Sequence, residues 1–215
     1  MSRGWKLSTR ARLAVALAMA LVGAHLVPHA QEVSLTSEVS RLVELLELRS
    51  DSVVVDLGAG DGEVSVEMAK QLGPASRVYS TDINAERIAE IKQAATKAGL
   101  TNIVALEGAP SSTNLPEACC DALFVRNVYH HFADPAEMNA SILRSLKPGG
   151  RFAVLDGPSN AKTGVPPAER GSGDTHGVAR DTVVEELKAA GLEIVTVLPE
   201  WPGNRFMVLA RKAPR

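Results

Sequence analysis

Val53-Val54-Val55-Asp56-Leu57-Gly58-Ala59-Gly60-Asp61-Gly62 decides the fold of this chain. A β-branched run, the mark of a strand buried on both faces, reaches an acid and then glycines at alternate positions. Glycine lets the chain turn tightly and lets a ligand approach the backbone without meeting a Cβ. Residues 63–72 read as a helix whose positive N-terminus points at that ligand.

Further strands are expected at 77–81, 103–107, 122–126, 151–155, 192–197 and 206–210. Helices are expected at 36–48, 84–98 and 181–190, and from Pro135 to just before Pro148. The 135 helix has the clearest start, with Asp134 as N-cap, Pro135 at the first position and Glu137 at the third. Pro148-Gly149-Gly150 reads as a tight turn, and Asp156 to Arg180, rich in Gly and Pro, as a long surface loop acting as a mobile lid. Strand–helix alternation ending in a hairpin predicts an α/β fold. Its doubly wound, seven-stranded sheet is mostly parallel with one antiparallel terminal strand. The ligand site of such a sheet lies beyond the carboxyl ends of its strands.

The charges around the glycine loop select the ligand. Gly58 and Gly60 match the start of the dinucleotide fingerprint, but the third position falls on Glu63. Asp56, Asp61 and Glu63 would repel a pyrophosphate, and no Lys-Ser/Thr follows to make a P-loop. An acidic loop suits a cofactor with a cationic end, such as S-adenosylmethionine with its sulfonium and ammonium. Asp82, ending the 77–81 strand, can accept from both hydroxyls of a ribose.

With these residues in view, the chain resembles the class I S-adenosylmethionine-dependent methyltransferases of the small, compact kind. The resemblance rests on the 56–62 loop, on Thr81-Asp82-Ile83, on 121–131 (Asp-Ala-Leu-Phe-Val-Arg-Asn-Val-Tyr-His-His) and on 146–151 (Leu-Lys-Pro-Gly-Gly-Arg), and it covers about 36–212. It implies an S-adenosylmethionine site built from Asp56, Gly58, Ala59, Gly60, Asp82, Ile83, Gly108, Ala109, Arg126 and Asn127. It implies transfer of a methyl group to a small-molecule acceptor by in-line displacement. The family's acid after the third strand is missing from Glu107-Gly108-Ala109-Pro110-Ser111-Ser112. Adenine is then left to Ser111, Ser112, a backbone carbonyl or apolar contacts. Two other readings stay open: a non-catalytic S-adenosylmethionine-binding domain, and an NAD-dependent oxidoreductase, against which the acidic loop argues.

Methyl transfer needs no catalytic triad, because the sulfonium already activates the methyl. Candidate catalytic residues are Tyr129 and His131, after the 122–126 strand, and His176 at the end of the long loop. His130 reads as a packing residue. His130, His131, His176 and Asp156 have no metal-ligand spacing, so no metal is expected.

The 215 residues carry a net charge of −2 and 22% charged side chains, which suits one domain at 31–215 and no nucleic-acid partner. Residues 1–30 differ in kind. Arg3, Lys6, Arg10 and Arg12 precede an uncharged run from Leu13 to Val27, short of the roughly 20 residues that span a bilayer. A basic start and a short apolar core predict a secretory signal and an exported protein, periplasmic or extracellular. The alternative is an uncleaved anchor that holds the domain at a membrane. Cys119 and Cys120, adjacent in sequence, are expected as two buried thiols, because normal disulfide geometry does not fit neighbouring residues.

Overall fold

Seven strands form a single sheet: β1 (Val53–Leu57), β2 (Arg77–Asp82), β3 (Ile103–Glu107), β4 (Cys120–Arg126), β5 (Leu146–Asp156), β6 (Glu193–Trp201) and β7 (Arg205–Arg211). Their order across the sheet is β3-β2-β1-β4-β5-β7-β6. β1 to β5 pair in parallel, and β7 enters antiparallel between β5 and β6. The fold is therefore the expected doubly wound sheet with its one reversed strand. The computed structural model describes residues 1, 34–158, 160–171, 173 and 176–214. But for Met1, the expected signal or anchor at 1–30 lies outside them. Among the described residues no helix is long and apolar enough to cross a membrane.

Side chains alternate between two apolar layers. Val54, Ala122, Phe124, Ala153 and Leu155 join the layer that includes Val39, Leu42 and Met68 from the Leu35–Leu45 and Glu63–Leu72 helices. Val55, Leu123, Val125, Phe152 and Val154 join Met138, Ile142, Val183 and Leu187 from the Pro135–Ser145 and Arg180–Ala189 helices. A central strand buried on both faces must be apolar throughout, which is why Val53 to Val55 do not alternate with polar residues.

Local chemistry sets the element ends. Asn84 caps the Ala85–Lys97 helix by accepting from the Glu86 amide at 2.7 Å, and Asp134 accepts from the Glu137 amide at 2.9 Å. The first helix stops at Leu45, short of the expected 48, because Glu47 turns left-handed at φ 54°.

Three expectations change. β5 starts at Leu146, not 151: Pro148-Gly149-Gly150 lies inside the strand, with Gly149 left-handed at φ +78° where the pairing with β4 shifts register, and the Gly149 amide donates to Lys212 O and the Lys212 amide to Gly150 O. Cys119 and Cys120 are joined as a disulfide at the start of β4, where two thiols were expected. The 156–180 loop is not without structure of its own. It holds a 3-10 turn, Pro167–Glu169, and then Arg170, which is buried. Arg170 Nη2 donates to Glu186 Oε1 at 2.7 Å and its Nε to Val165 O at 2.9 Å, so this part of the loop is tied to the Arg180–Ala189 helix.

One buried carboxylate ties the first helix to the sheet. Glu38, 4% exposed, accepts from Trp201 Nε1 at 2.8 Å and pairs with Arg205 at 2.8 Å and Arg126 at 3.4 Å. Burial pushes its pKa up, but the Trp201 hydrogen bond and the two guanidiniums outweigh burial and hold it below the ordinary value. Removing one member of a buried ion pair leaves an uncompensated charge, at a cost of about 3–5 kcal/mol. Glu38→Ala should therefore lose about 3 kcal/mol or more in urea unfolding, well above the cost of a surface glutamate change in the same helix such as Glu44→Ala.

Candidate active site

The carboxyl ends of β1, β2, β4 and β5 carry Asp56, Asp82, Arg126 and Asp156 along one edge of the sheet. The strand order reverses direction between β1 and β4, and the crevice of a doubly wound sheet opens at such a point. Three adjoining cavities lie there.

The first, about 370 Å³, is bordered by Gly58, Asp82, Ile83, Gly108 and Ala109, all expected site residues. Its walls are mainly apolar, from Leu57, Pro110, Val128, Phe132 and Met138. Asp82 is held by the backbone: the Gly60 amide donates to Oδ2 at 3.1 Å and the Asn84 amide to Oδ1 at 2.9 Å. A carboxylate oxygen has two lone pairs, so each can still accept from a ligand. The glycine loop is sewn to β2 by the Gly58 and Ala59 amides, both donating to Thr81 O at 2.8 Å. Gly58, at φ +79°, has no alternative: a Cβ there would come within 2.7 Å of Val128 Cγ2. The slot contains neither Ser111 nor Ser112 among its lining residues. Ser112 Oγ accepts from the Asn114 amide and lies 3.4 Å from Ser141 Oγ instead.

The second cavity, about 270 Å³, shares Gly58 with the first and is bordered by Asp56, Ala59, Gly60, Asp61, Glu63 and Arg126. Both signs of charge meet in it. Arg126 reaches Glu63 at 3.8 Å and Glu38 at 3.4 Å. Asp56 is 3% exposed and accepts from Ser65 Oγ at 2.7 Å, which in turn accepts from Ser80 Oγ at 2.7 Å. Burial is the largest influence on Asp56 and raises its pKa to about 7. Ser65 and Arg126 act the other way, while Asp82 and Asp61 add to the rise.

The third cavity, about 320 Å³, holds Asn127, His130, His131, Asp156, His176 and Arg205 on its walls. Asn127 sits at φ +58°, a conformation that asparagine tolerates, and its amide donates to Leu155 O at 2.8 Å. The Tyr129–His131 3-10 turn follows. His131 borders the first cavity as well as the third. Partial burial lowers the His131 pKa, and the neighbouring His130 and His176 lower it further against the pull of Asp156.

Tyr129, an expected catalytic candidate, does not reach these cavities. It is wholly buried; its hydroxyl donates to Glu186 Oε2 at 2.9 Å and accepts from Asn139 Nδ2 at 2.7 Å. Burial and Glu186 hold its pKa well above the usual range, so it acts as an anchor for the turn. His130, read from sequence as a packing residue, meets Asp156 at 2.8 Å through Nδ1. Glu38 and Met138 were missed, since each comes from an amphipathic helix where its spacing reads only as helix face.

Comparison with known proteins follows the same lines. A family profile described as a methyltransferase domain matches residues 55–154. The ubiquinone/menaquinone biosynthesis C-methyltransferase UbiE of Cupriavidus taiwanensis is 33% identical over 112 residues, covering 51% of this chain and 44% of that protein. The protein of that name from Pseudomonas paraeruginosa is 31% identical over 119 residues, 53% of this chain and 45% of its own. The chain thus spans under half the length of the curated relatives it matches. Among solved structures, a SAM-dependent methyltransferase from Aquifex aeolicus superposes with a TM-score of 0.70 at 23% identity, covering 81% of this chain and 89% of that one. A protein from Galdieria sulphuraria, described as a candidate sarcosine dimethylglycine methyltransferase, gives 0.67 at 16% identity, covering 81% of this chain and 83% of that one.

The raised Asp56 pKa has a measurable consequence. Between the ordinary value of 3.8 and about 7, the folded protein keeps a proton that the unfolded chain has released. Stability from this group therefore falls as pH rises through that window and levels off above it. Asp56→Asn, a neutral isostere, should gain on wild type in thermal melts between pH 4 and pH 7, and the gap should stay constant above. A gap independent of pH would place the Asp56 titration elsewhere.

Proposed function

We propose that this chain, whose residues 55–154 match a methyltransferase domain, is a class I S-adenosylmethionine-dependent methyltransferase that transfers the methyl group of S-adenosylmethionine to a small-molecule acceptor. The observation that carries the reading is the meeting of two unlike cavities at Gly58. The apolar slot with Asp82 at its edge suits an adenine ring and the two ribose hydroxyls. The slot with Asp56, Asp61, Glu63 and Arg126 suits a zwitterionic amino-acid end, ammonium toward the acids and carboxylate toward Arg126. A pyrophosphate would meet the carboxylates head-on.

The sulfonium supplies the reactivity, so the protein's work is alignment. Holding acceptor and methyl in line replaces a bimolecular encounter and is worth about 7–11 kcal/mol. The third cavity shares His131 with the apolar slot, and Asn127 on its wall directly follows Arg126 of the charged slot, so in this reading the acceptor sits there. Its volume of about 320 Å³ fits a small acceptor. The relatives that carry quinone-biosynthesis names support a small organic acceptor and leave its identity open. Export is part of the proposal and rests on the basic start and short apolar core of residues 1–30.

Calorimetry with S-adenosylhomocysteine tests the cofactor assignment. Asp82→Ala removes charge-assisted hydrogen bonds worth about 1.5–3 kcal/mol, so affinity should fall about tenfold to a hundredfold. Gly58→Ala should weaken binding as well, through Val128 and the left-handed backbone. Unchanged affinity in both variants would remove the cofactor from this crevice. For export, N-terminal sequencing of protein expressed in a bacterium should find the first 24 to 30 residues gone; an intact Met1 or Ser2 in the membrane fraction would establish the anchor instead.

A further inference from the structure

Three histidines distant in the chain come together at the third cavity. One ring nitrogen from each of His130, His131 and His176 lies within 4.8 Å of the other two. The ring centroids are 4.0 Å apart for His130 and His131, 4.6 Å for His130 and His176, and 5.9 Å for His131 and His176, with none of the rings parallel. His131 and His176 are exposed and His130 is buried.

The His130–Asp156 pair settles which nitrogen of His130 is available. Asp156, wholly buried, already accepts from the Gly157 amide at 2.7 Å and the His130 amide at 3.2 Å. A carboxylate can only accept, so the ring proton sits on Nδ1, 2.8 Å from Asp156 Oδ1. In the neutral ring Nε2 then keeps a bare lone pair. That atom is buried and has no hydrogen-bond partner among the described residues, while the residue as a whole is 4% exposed. A buried lone pair without a partner is costly, and a bound cation would satisfy it. A carboxylate on the far nitrogen of a ligating histidine is also the arrangement that fixes the tautomer and strengthens the ligand at metal sites.

The loop is built to bring His176 there. Gly177 lies at φ +115° against Gly157 and Pro158, with no room for a Cβ, and its amide donates to Arg170 O at 2.8 Å. Buried Arg170 is tied to Glu186. The histidine is thus clamped beside the residue that follows Asp156. Arg205, which borders the same cavity, is neutralised by Glu38 at 2.8 Å and bonded to Pro202 O.

We infer that His130, His131 and His176, with Asp156 behind His130, form a binding site for a divalent transition cation of the zinc type, bordering the cofactor cavity. Imidazole ligands select zinc, copper, nickel or cobalt over magnesium or calcium. Metal–nitrogen bonds of about 2.0–2.1 Å in a tetrahedron put the nitrogens about 3.3 Å apart, so the two exposed rings swing inward to close the site. Three protein ligands leave a fourth position for water or for a donor atom of a bound molecule. The site stands whether or not the chain transfers methyl groups.

The test uses the full chain without a polyhistidine tag, stripped with chelator, and competition against a chromophoric chelator for Zn²⁺ or Co²⁺. Wild type should bind one equivalent, and Co²⁺ should give the visible absorption of a four-coordinate site. His176→Ala and His131→Ala, both on exposed rings, should each weaken binding by more than the 10–100-fold that loss of an outer-shell partner costs. Asp156→Asn should weaken it within that range, and thermal melts without metal check that each variant is folded. If Zn²⁺ binds wild type no more tightly than the His131→Ala/His176→Ala double variant, the site does not exist.

Discussion

Every strand that reaches the cofactor edge of this sheet must change there from apolar to charged, and the rest of the structure follows from meeting that demand. A parallel sheet covered on both faces gives its strands no polar side chains to spare along their length. Charge is concentrated where the strands stop: Asp56, Asp82, Arg126 and Asp156. Buried or half-buried, these groups need donors or counter-charges. Asp82 takes two backbone amides, Asp56 takes a serine hydroxyl, Asp156 takes two amides and a histidine, and Arg126 takes Glu38 and Glu63.

The partners differ in strength, and the differences sort the site. Asp82 is served by one amide of the glycine loop and one of its own loop and stays half-buried at the first cavity, ready to accept more. Asp56 is fully buried with one hydroxyl, so its ionised form is under-served and its pKa is raised to about 7. A cationic ligand arriving beside Asp56 supplies what the protein leaves out. In the proposed function the acidic edge discriminates by sign: it suits a sulfonium and ammonium and opposes a pyrophosphate.

Much of this was legible in the sequence, because it is local. The β-branched run into Gly58-Ala59-Gly60 marks strand, turn and cavity within ten residues, and Asp134-Pro135-Ala136-Glu137 marks a cap that forms as read. Asp82 was legible because an acid at a strand end has few other uses there. What was illegible depends on tertiary partners. Glu38 is one of several polar residues on an amphipathic helix, and only the fold brings Trp201, Arg126 and Arg205 to it. Pro148-Gly149-Gly150 has turn chemistry, and Gly149 does turn left-handed, but the C-terminal residues pair with the segment and keep it inside β5. The histidine cluster escapes spacing rules because its third member arrives from a loop clamped by Arg170 and Gly177.

Tyr129 shows how those clamps join. Its hydroxyl and Arg170 share the carboxylate of Glu186, the tyrosine at 2.9 Å from Oε2 and Arg170 Nη2 at 2.7 Å from Oε1. Asn139 fixes the same hydroxyl from the Pro135–Ser145 helix. One carboxylate therefore sets both the turn that carries His130 and His131 and the loop that returns as His176. The phenol is too buried and too strongly hydrogen-bonded to lose its proton in chemistry. Its value lies in rigidity: a histidine pair on a three-residue turn has little packing of its own, and an anchored neighbour on each side, Tyr129 and Phe132 in the core, removes its freedom to wander. A residue read from sequence as a candidate for chemistry thus serves the chemistry from beneath, by holding the imidazoles where the cavities meet.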